Sequence, residues 1–198
     1  MGIFSKQATD KLEEVFTNLF RTEPGKGDDE RRNKLHDAVP VIDRMVPLRK
    51  MRKVVLVTDQ ADLGVPAERN IKLSHLFKIL NQGFTRVPIL DQKDLCRYVV
   101  HQSLIYKFMA RRLIEGEPPE KLDLQTVTLE DFLAFDDVKN YVHDALAFVA
   151  PTATLGAAQA AMEKDKDCQD ILVTRTGTRE GEVLGWLTNI DIARHIKA

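Results

Sequence analysis

The chain has 198 residues, 43% hydrophobic and 30% charged, enough to bury the core of one ordinary domain or two small ones. Its 29 basic and 30 acidic residues leave no basic excess, which argues against a nucleic-acid-binding protein. Two isolated cysteines, Cys96 and Cys168, exclude a disulfide framework and predict reduced thiols in a cytoplasmic protein. The longest apolar run, Ala145–Ala150, is too short to span a bilayer, and no secretory signal is recognisable, so we expect no membrane contact.

The first segment is predicted to be a helix on a flexible tether. Within residues 8–21, apolar side chains recur at helical spacing: Leu12, Val15, Phe16, Leu19 and Phe20. Residues 22–34 are polar and rich in turn formers, which is typical of a linker. The helix must bury its apolar stripe, either against a dimer partner or against the protein's own core. We therefore treat residues 1–34 as a separate segment.

The body begins near Leu35 with a strand, a helix, two strands and a second helix. The pattern predicts a strand over 51–57, a helix from Asn70 that stops at Gly83, strands over 87–90 and 95–100, and a helix over 102–114. Proline and glycine residues at 116–119 end this part. The expected first repeat thus spans residues 35–119.

The same order of elements returns in the second half. A short helix opened by Thr128, with Asp131 in a capping box, leads into it. We then expect a strand over 145–149, a helix capped by Thr154, strands over 170–174 and 182–187, and a helix over 188–196. Residues 120–198 are therefore a linking helix and a second copy of one unit. Two such units packed face to face would bury the sheet surface that neither buries alone.

The turn between the last strand and the last helix, Gly185–Asp191, is the best candidate for a ligand site. Thr188 sits at the helix start, where free backbone amides and the helix dipole favour a phosphate. Asp191, one turn later, offers a carboxylate that suits a ribose diol. Gly185 removes a side chain where a sugar or base could approach the strand. The alternative is that Thr188 and Asp191 simply make a good helix start without any ligand.

Four stretches resemble the CBS domain family. Leu184–Ile192 resembles the family's closing signature, in which Gly, two apolar residues, Ser or Thr, two free positions and Asp precede the last helix. Phe84–Asp91 resembles its central strand, Val149–Leu155 its opening strand and helix cap, and Thr128–Leu133 the lead-in to a second copy. The resemblance covers about residues 40–198, in two copies, and coincides with the repeat.

This resemblance implies an α/β (α+β) fold of two CBS-type βαββα repeats packed with pseudo-twofold symmetry, plus the N-terminal helix. Such pairs, called Bateman modules, commonly bind adenosine-containing ligands between the copies. Carried over, Thr188 would contact phosphate or ribose and Asp191 the ribose hydroxyls. The strand at Phe148, Val149 and Ala150 would flank the base. The other site residues implied are Gly185, Asn189 and Arg194, the last reaching a phosphate or standing as an exposed arginine near a helix end.

The first copy departs from the family pattern at the equivalent turn. Tyr98 stands where the pattern has Gly, and Leu104 stands where it has Asp, so an ordinary nucleoside site is not expected there. His101, with Thr85 and Arg86 on the neighbouring strand, could still donate to a phosphate at a second site. A histidine at a helix start also fits a capping or packing role.

We therefore predict a non-catalytic, cytoplasmic regulatory module that binds an adenosine nucleotide and signals to a partner protein whose identity the sequence does not give. The candidate ligands are AMP, ADP, ATP and S-adenosylmethionine, no cofactor is required, and a homodimer is expected. The alternative is a structural or dimerisation module without a ligand. The sequence has no phosphate loop, metal-ligand spacing or nucleophile with a base, so an enzyme is not expected.

Overall fold

A computed structural model describes residues 39–57, 67–116, 123–135 and 138–196, all of which fall within one compact unit. The predicted helix over 8–21 and the linker over 22–34 lie outside these residues. No helix within the described ranges is long and apolar enough to cross a bilayer.

The first half of the described chain forms seven helices and strands. In chain order they are β1 (Val46–Pro47), β2 (Val54–Leu56), α1 (Leu73–Leu80), β3 (Arg86–Asp91), β4 (Cys96–His101), α2 (Gln102–Ile114) and α3 (Leu129–Leu133). Single 3-10 turns cover Val41–Asp43, Leu48–Lys50 and Ala67–Asn70. Strands β2, β3 and β4 make a three-stranded sheet in that order, with β2 and β3 parallel and β3 and β4 antiparallel.

The second half repeats the pattern after a short π-helix, Asn140–Asp144. Its elements are β5 (Leu146–Val149), α4 (Leu155–Met162), β6 (Asp170–Thr174), β7 (Val183–Thr188) and α5 (Asn189–Ile196). These three strands and β1 make a four-stranded sheet of order β1-β7-β6-β5. The predicted α/β fold with two repeats is confirmed.

The strand registers show that the two copies are equivalent residue by residue. Arg86 pairs with His101 in the first copy, and Asp170 pairs with Thr188 in the second. Both hairpins carry a register shift after the fourth residue of the first strand, which is Ile89 in one copy and Val173 in the other. Arg86 therefore corresponds to Asp170, and His101 corresponds to Thr188.

The segment that precedes each repeat packs onto the other repeat. Val41 donates its amide to Ala153 and lies in the core of the second copy. Leu129 donates its amide to Ile71 and lies in the core of the first. The bridges Pro40–Thr154 and Lys72–Thr128 are the corresponding contacts on the two sides. Each hydrophobic core thus contains residues from both sides of the expected boundary at 119–120. That boundary stays a prediction.

A third apolar layer joins the two sheets. Its fully buried members include Leu90 and Val99 from the first sheet and Leu172 from the second. Each sheet thereby buries its second face against the other repeat.

Most element positions follow from the sequence pattern. Helix α2 and strand β6 have the predicted bounds, and Thr128 and Asp131 form the predicted capping box at the start of α3. Gly83 has a φ of 95°, as expected of a residue that ends a helix. Strand β1 and the 3-10 turns are too short to produce a periodic pattern and were not predicted.

Replacing Leu172 tests whether the layer between the sheets holds the repeats together. Leu172→Ala leaves a cavity between them, so we expect the free energy of unfolding to fall by about 2–5 kcal/mol in urea denaturation. Val55→Ala, on an exposed position of β2, is the control and should change it by less than about 1 kcal/mol. Equal losses in the two variants would contradict this role of the layer.

Candidate functional site

The candidate turn joins β7 directly to α5, and its two polar side chains bind each other. Asp191 Oδ2 accepts hydrogen bonds from the Thr188 amide, at 2.9 Å, and from the Thr188 hydroxyl, at 2.7 Å. The Asp191 amide in turn donates to Thr188 Oγ1 at 3.2 Å. Among the described residues, no hydrogen bond reaches the second carboxylate oxygen, Oδ1. Asp191 is half-buried, so this oxygen is a defined acceptor at the edge of the turn.

The other amides at the start of α5 also have partners within the protein. The Asn189 amide donates to the Gln169 carbonyl at 3.0 Å, and the Ile190 amide donates to Asn189 Oδ1 at 2.9 Å. A phosphate at this helix start would therefore have to replace side-chain acceptors rather than meet free donors. The Asp191 carboxylate, which has an oxygen without a hydrogen bond among the described residues, is therefore better prepared to bind a ligand than these amides are.

The same hydrogen-bonded arrangement occurs at the start of α3. Asp131 Oδ2 accepts from the Thr128 amide at 2.8 Å and from its hydroxyl at 2.7 Å, and the Asp131 amide donates back at 3.2 Å. A capping box is thus a helix start in its own right and does not by itself indicate a ligand. The surroundings must distinguish the two turns.

The space beside Gly185 is occupied by the protein itself. A Cβ at this position would overlap the Met45 sulfur and lie 3.0 Å from the Val46 carbonyl oxygen. Strand β1 crosses here, with Pro47 paired to Gly185. The Met45 side chain fills the room beside Gly185, so a sugar or base would have to displace it there, and the role of Gly185 stays a prediction.

The structure does not bring residues 148–150 to the Thr188–Asp191 turn. Phe148 on β5 is in register with Leu172 on β6, which is in register with Trp186 on β7. Strand β6 therefore separates Phe148 from β7, by about 10 Å at the usual strand spacing. The Val149 side chain packs into the core of the second repeat. Ala150 packs closely against Gly177: a Cβ on that glycine would lie only 2.9 Å from the Ala150 amide nitrogen. Their role as a base-binding strand stays a prediction.

The buried carboxylate of Asp170 joins the two repeats. Its Oδ2 lies 2.6 Å from His101 Nε2, and its Oδ1 accepts from Trp186 Nε1 at 3.0 Å and lies 3.5 Å from Arg86 Nε. Arg86 also donates through Nη2 to Gln169 Oε1, at 2.9 Å, and to Asn189 Oδ1, at 3.3 Å. Asp170 and Arg86 are both buried, so this ion pair is largely removed from water. We call Asp170, Arg86, His101 and Trp186 the Asp170 cluster.

The Asp170 cluster brings equivalent positions of the two repeats together with opposite charge. Arg86 and Asp170 correspond in the repeat, and they meet across the contact between the copies. Two identical repeats would place like charges here, which is unfavourable in a buried contact. Sequence reasoning missed Asp170. The available signal was a single acidic residue beginning a strand of buried apolar residues, at the position that holds Arg86 in the first copy.

This arrangement bears directly on the predicted second site. His101 Nε2 and Arg86 Nε face Asp170, so a phosphate there would compete with a buried carboxylate. Thr85 is exposed, and its carbonyl accepts the Gln102 amide at 2.9 Å. The second site remains a prediction. Arg194 is exposed one turn beyond Asp191, and its phosphate contact remains a prediction as well.

Neither cysteine thiol is activated as a nucleophile. Burial raises the pKa of the Cys96 thiol to about 12 and that of the Cys168 thiol to about 11, so both stay protonated near neutral pH. Within the described ranges, no group of three His, Cys, Asp or Glu side chains could hold a metal ion.

Comparisons with known proteins agree with the fold. The sequence model of the CBS domain family matches residues 138–198. No curated protein sequence matches the chain. The structure is similar to the CBS domain of a bacterial CNNM/CorC family Mg2+ transporter, at 14% identity over 98% of this chain and 96% of that one, with a TM-score of 0.54.

Two further solved structures resemble it to the same degree. One is a CBS domain-containing protein of unknown function from Bacillus anthracis str. Ames Ancestor, with 16% identity, 83% and 96% of the two chains covered, and a TM-score of 0.54. The other is the CBS domain of a bacterial CNNM/CorC family Mg2+ transporter in complex with ATP, with 16% identity, 84% and 93% coverage, and a TM-score of 0.52. At these identities the likeness establishes the fold alone.

Removing the charge of Asp170 tests the Asp170 cluster. Asp170→Asn leaves the buried Arg86 guanidinium without its counter-charge, so we expect a loss of about 3–5 kcal/mol in the free energy of unfolding, followed by far-UV circular dichroism in urea. The control is Glu182→Gln, which removes the exposed Arg175–Glu182 pair and should cost about 1 kcal/mol or less. A loss in Asp170→Asn no larger than in the control would contradict the importance of the cluster.

Proposed function

We propose that this protein, whose residues 138–198 match the CBS domain model and whose fold is similar to that of CBS-domain structures, is a regulatory module that binds an adenosine-containing nucleotide at the Thr188–Asp191 turn. The observation that carries the proposal is the half-buried Asp191 carboxylate, which has one oxygen held by Thr188 and one without a hydrogen bond among the described residues. A ribose diol supplies the donors that such an oxygen lacks.

The chemistry of the turn suits the sugar better than the phosphates. The Thr188–Asp191 hydrogen bonds fix the carboxylate at the start of α5, so binding costs little side-chain ordering. Phosphates would lie at the positive end of the helix. There they would accept hydrogen bonds from the Ile190 and Asp191 amides, in place of the present acceptors, Asn189 Oδ1 and Thr188 Oγ1. These contacts are common to AMP, ADP, ATP and, for the ribose, S-adenosylmethionine.

One similar structure supports an adenine nucleotide as the ligand class. It is the CBS domain of a transporter in complex with ATP, and its fold matches 84% of this chain. The nucleotide is therefore the first ligand class to test.

Binding at the turn would act on the contact between the repeats. Asn189, next to Thr188, accepts a hydrogen bond from Arg86 of the first repeat, and Arg86 pairs with Asp170. A phosphate that displaces Asn189 Oδ1 would change the hydrogen-bond partners of Arg86. Nucleotide binding would thereby alter the geometry of the contact between the two repeats. That link is the coupling a regulator needs to signal to a partner protein.

The second candidate function is a structural or dimerisation module without a ligand. The Met45 side chain in the space beside Gly185 and the Asp170 cluster at His101 favour it, because protein groups there occupy positions that the family resemblance assigned to a ligand. No catalytic role is proposed.

Nucleotide binding is tested with Asp191→Asn and its matched control Asp131→Asn. We expect ATP or AMP to raise the melting temperature of the wild type by mass action, and Asp191→Asn to weaken the affinity by tenfold or more in isothermal titration calorimetry. Asp131→Asn breaks an equivalent capping box away from the turn and should keep wild-type affinity. If no adenosine compound binds the wild type, the module without a ligand is the better account. Equal affinity in Asp191→Asn and the wild type would place the nucleotide elsewhere.

We further propose that the protein forms a homodimer through α2. This helix exposes Tyr106, Leu113 and Ile114 to 43%, 54% and 70%, and apolar side chains so exposed on one helix are typical of a contact surface. Light scattering after size exclusion should give twice the chain mass, and Leu113→Glu should reduce it to one chain mass. A wild type that stays monomeric at high concentration would contradict the proposal.

A further inference from the structure

A cleft of about 290 Å³ lies along strand β5. Because β5 is the last strand of its sheet, its outer side has no strand partner among the described residues. One wall consists of Leu146–Phe148, and the opposite walls come from the end of α4, at Ala161 and Lys164, and from the β6–β7 hairpin, at Arg179. The volume is close to the lower end of the range for small-molecule sites.

The guanidinium of Arg179 is held in place at this cleft with one nitrogen unsatisfied. Nη2 donates to the His143 carbonyl at 2.6 Å, and the guanidinium carbon lies 4.8 Å from the centre of the Phe148 ring. Nη1 is buried, and it is the only buried side-chain nitrogen or oxygen of the described residues without a hydrogen-bond partner. A buried charged donor without an acceptor is unfavourable. A rotation of the Arg179 guanidinium toward the cleft would bring Nη1 to an anion there, which would supply the acceptor.

The charges around the cleft favour an anion. Lys164 and Arg179 line it, against a single carboxylate, Asp165. That carboxylate is engaged in its own turn, where Oδ1 accepts the Asp167 amide at 2.9 Å. The remaining lining side chains are mostly apolar, so the cleft offers cationic groups beside an apolar wall.

We propose that this cleft binds a small organic anion, whose charged group pairs with Arg179 and Lys164 and whose apolar part lies against Phe148 and Ala161. The cleft shares Phe148 with the predicted base-binding strand, but it shares no residue with the Thr188–Asp191 turn, and strand β6 lies between β5 and the strand that leads into that turn. It therefore stands whether or not a nucleotide binds at that turn. The anionic group is a carboxylate or a phosphate monoester, since a guanidinium with a free nitrogen pairs with either.

Calorimetric titration of the full chain with phenyl phosphate, benzoate and benzyl alcohol tests the proposal. We expect at least one of the two anions to bind, the neutral alcohol to bind at least tenfold more weakly, and Arg179→Gln to weaken anion binding by tenfold or more. The anion that binds more tightly identifies the charged group. The control is Arg175→Gln in the same hairpin, whose exposed side chain pairs with Glu182 and which should bind as the wild type does.

Two further variants keep the test decisive. Lys164 is exposed, so Lys164→Gln should fold normally and weaken anion binding severalfold even if Arg179→Gln fails to fold. Asp191→Asn should leave anion binding unchanged. The proposal is overturned if neither anion binds, if the alcohol binds as well as the anions, if folded Arg179→Gln and Lys164→Gln bind as the wild type does, or if Asp191→Asn abolishes binding.

Discussion

Each of the two small sheets is covered by its own helices on one face only, and the other face must be buried against the other repeat. Leu90, Val99 and Leu172 are fully inaccessible to water only because the two sheets meet. This contact also fixes which polar residues face one another, because equivalent positions approach across an approximate twofold axis. The first residue of the strand that follows the first helix of each repeat lies at this contact. It is Arg86, at the start of β3, in one copy and Asp170, at the start of β6, in the other. Their opposite charges allow an ion pair to be buried where identical residues would repel.

The divergence between the copies explains why the two strand-to-helix turns differ. In the first copy His101 is directed at Asp170, so its imidazole takes part in the contact between repeats. In the second copy the equivalent Thr188 is directed at Asp191, within its own turn. One turn thus contributes to cohesion of the pair, and the other keeps a carboxylate oxygen for a further partner. Under the proposed function, this difference favours one nucleotide site over two.

Much of the fold follows from local pattern, and most of the site does not. Apolar periodicity places α2 and β6 at their bounds, because a buried helix face or strand leaves a regular trace in the sequence. The exchange of Val41 and Leu129 between the repeats leaves no such trace, since a local pattern does not say which core a segment joins. The same limit applies to Gly185: its lack of a side chain is visible in sequence, but Met45 as the residue that fills the space is a tertiary fact.

The two capping boxes show why surroundings, and not hydrogen-bond geometry, decide where a ligand has an effect. At the start of α3, Leu129 is tied by its amide to the Ile71 backbone. Burial raises the pKa of Asp131, but hydrogen bonds from Thr128 and the charges of Arg112 and Lys72 outweigh it and leave that pKa below its ordinary value.

The start of α5 differs in what it touches across the repeats. Its contact with the first repeat there is made by side chains, with Arg86 reaching Asn189 and Gln169. Side chains exchange partners at far lower cost than a paired backbone does, because they move by single bond rotations. At α3 the Leu129–Ile71 backbone bond accompanies the side-chain pair of Arg69 and Glu130, whereas the described contacts of the α5 start with Arg86 are made by side chains alone. A ligand added at Thr188 can therefore alter the contact between the repeats without breaking a backbone hydrogen bond between them.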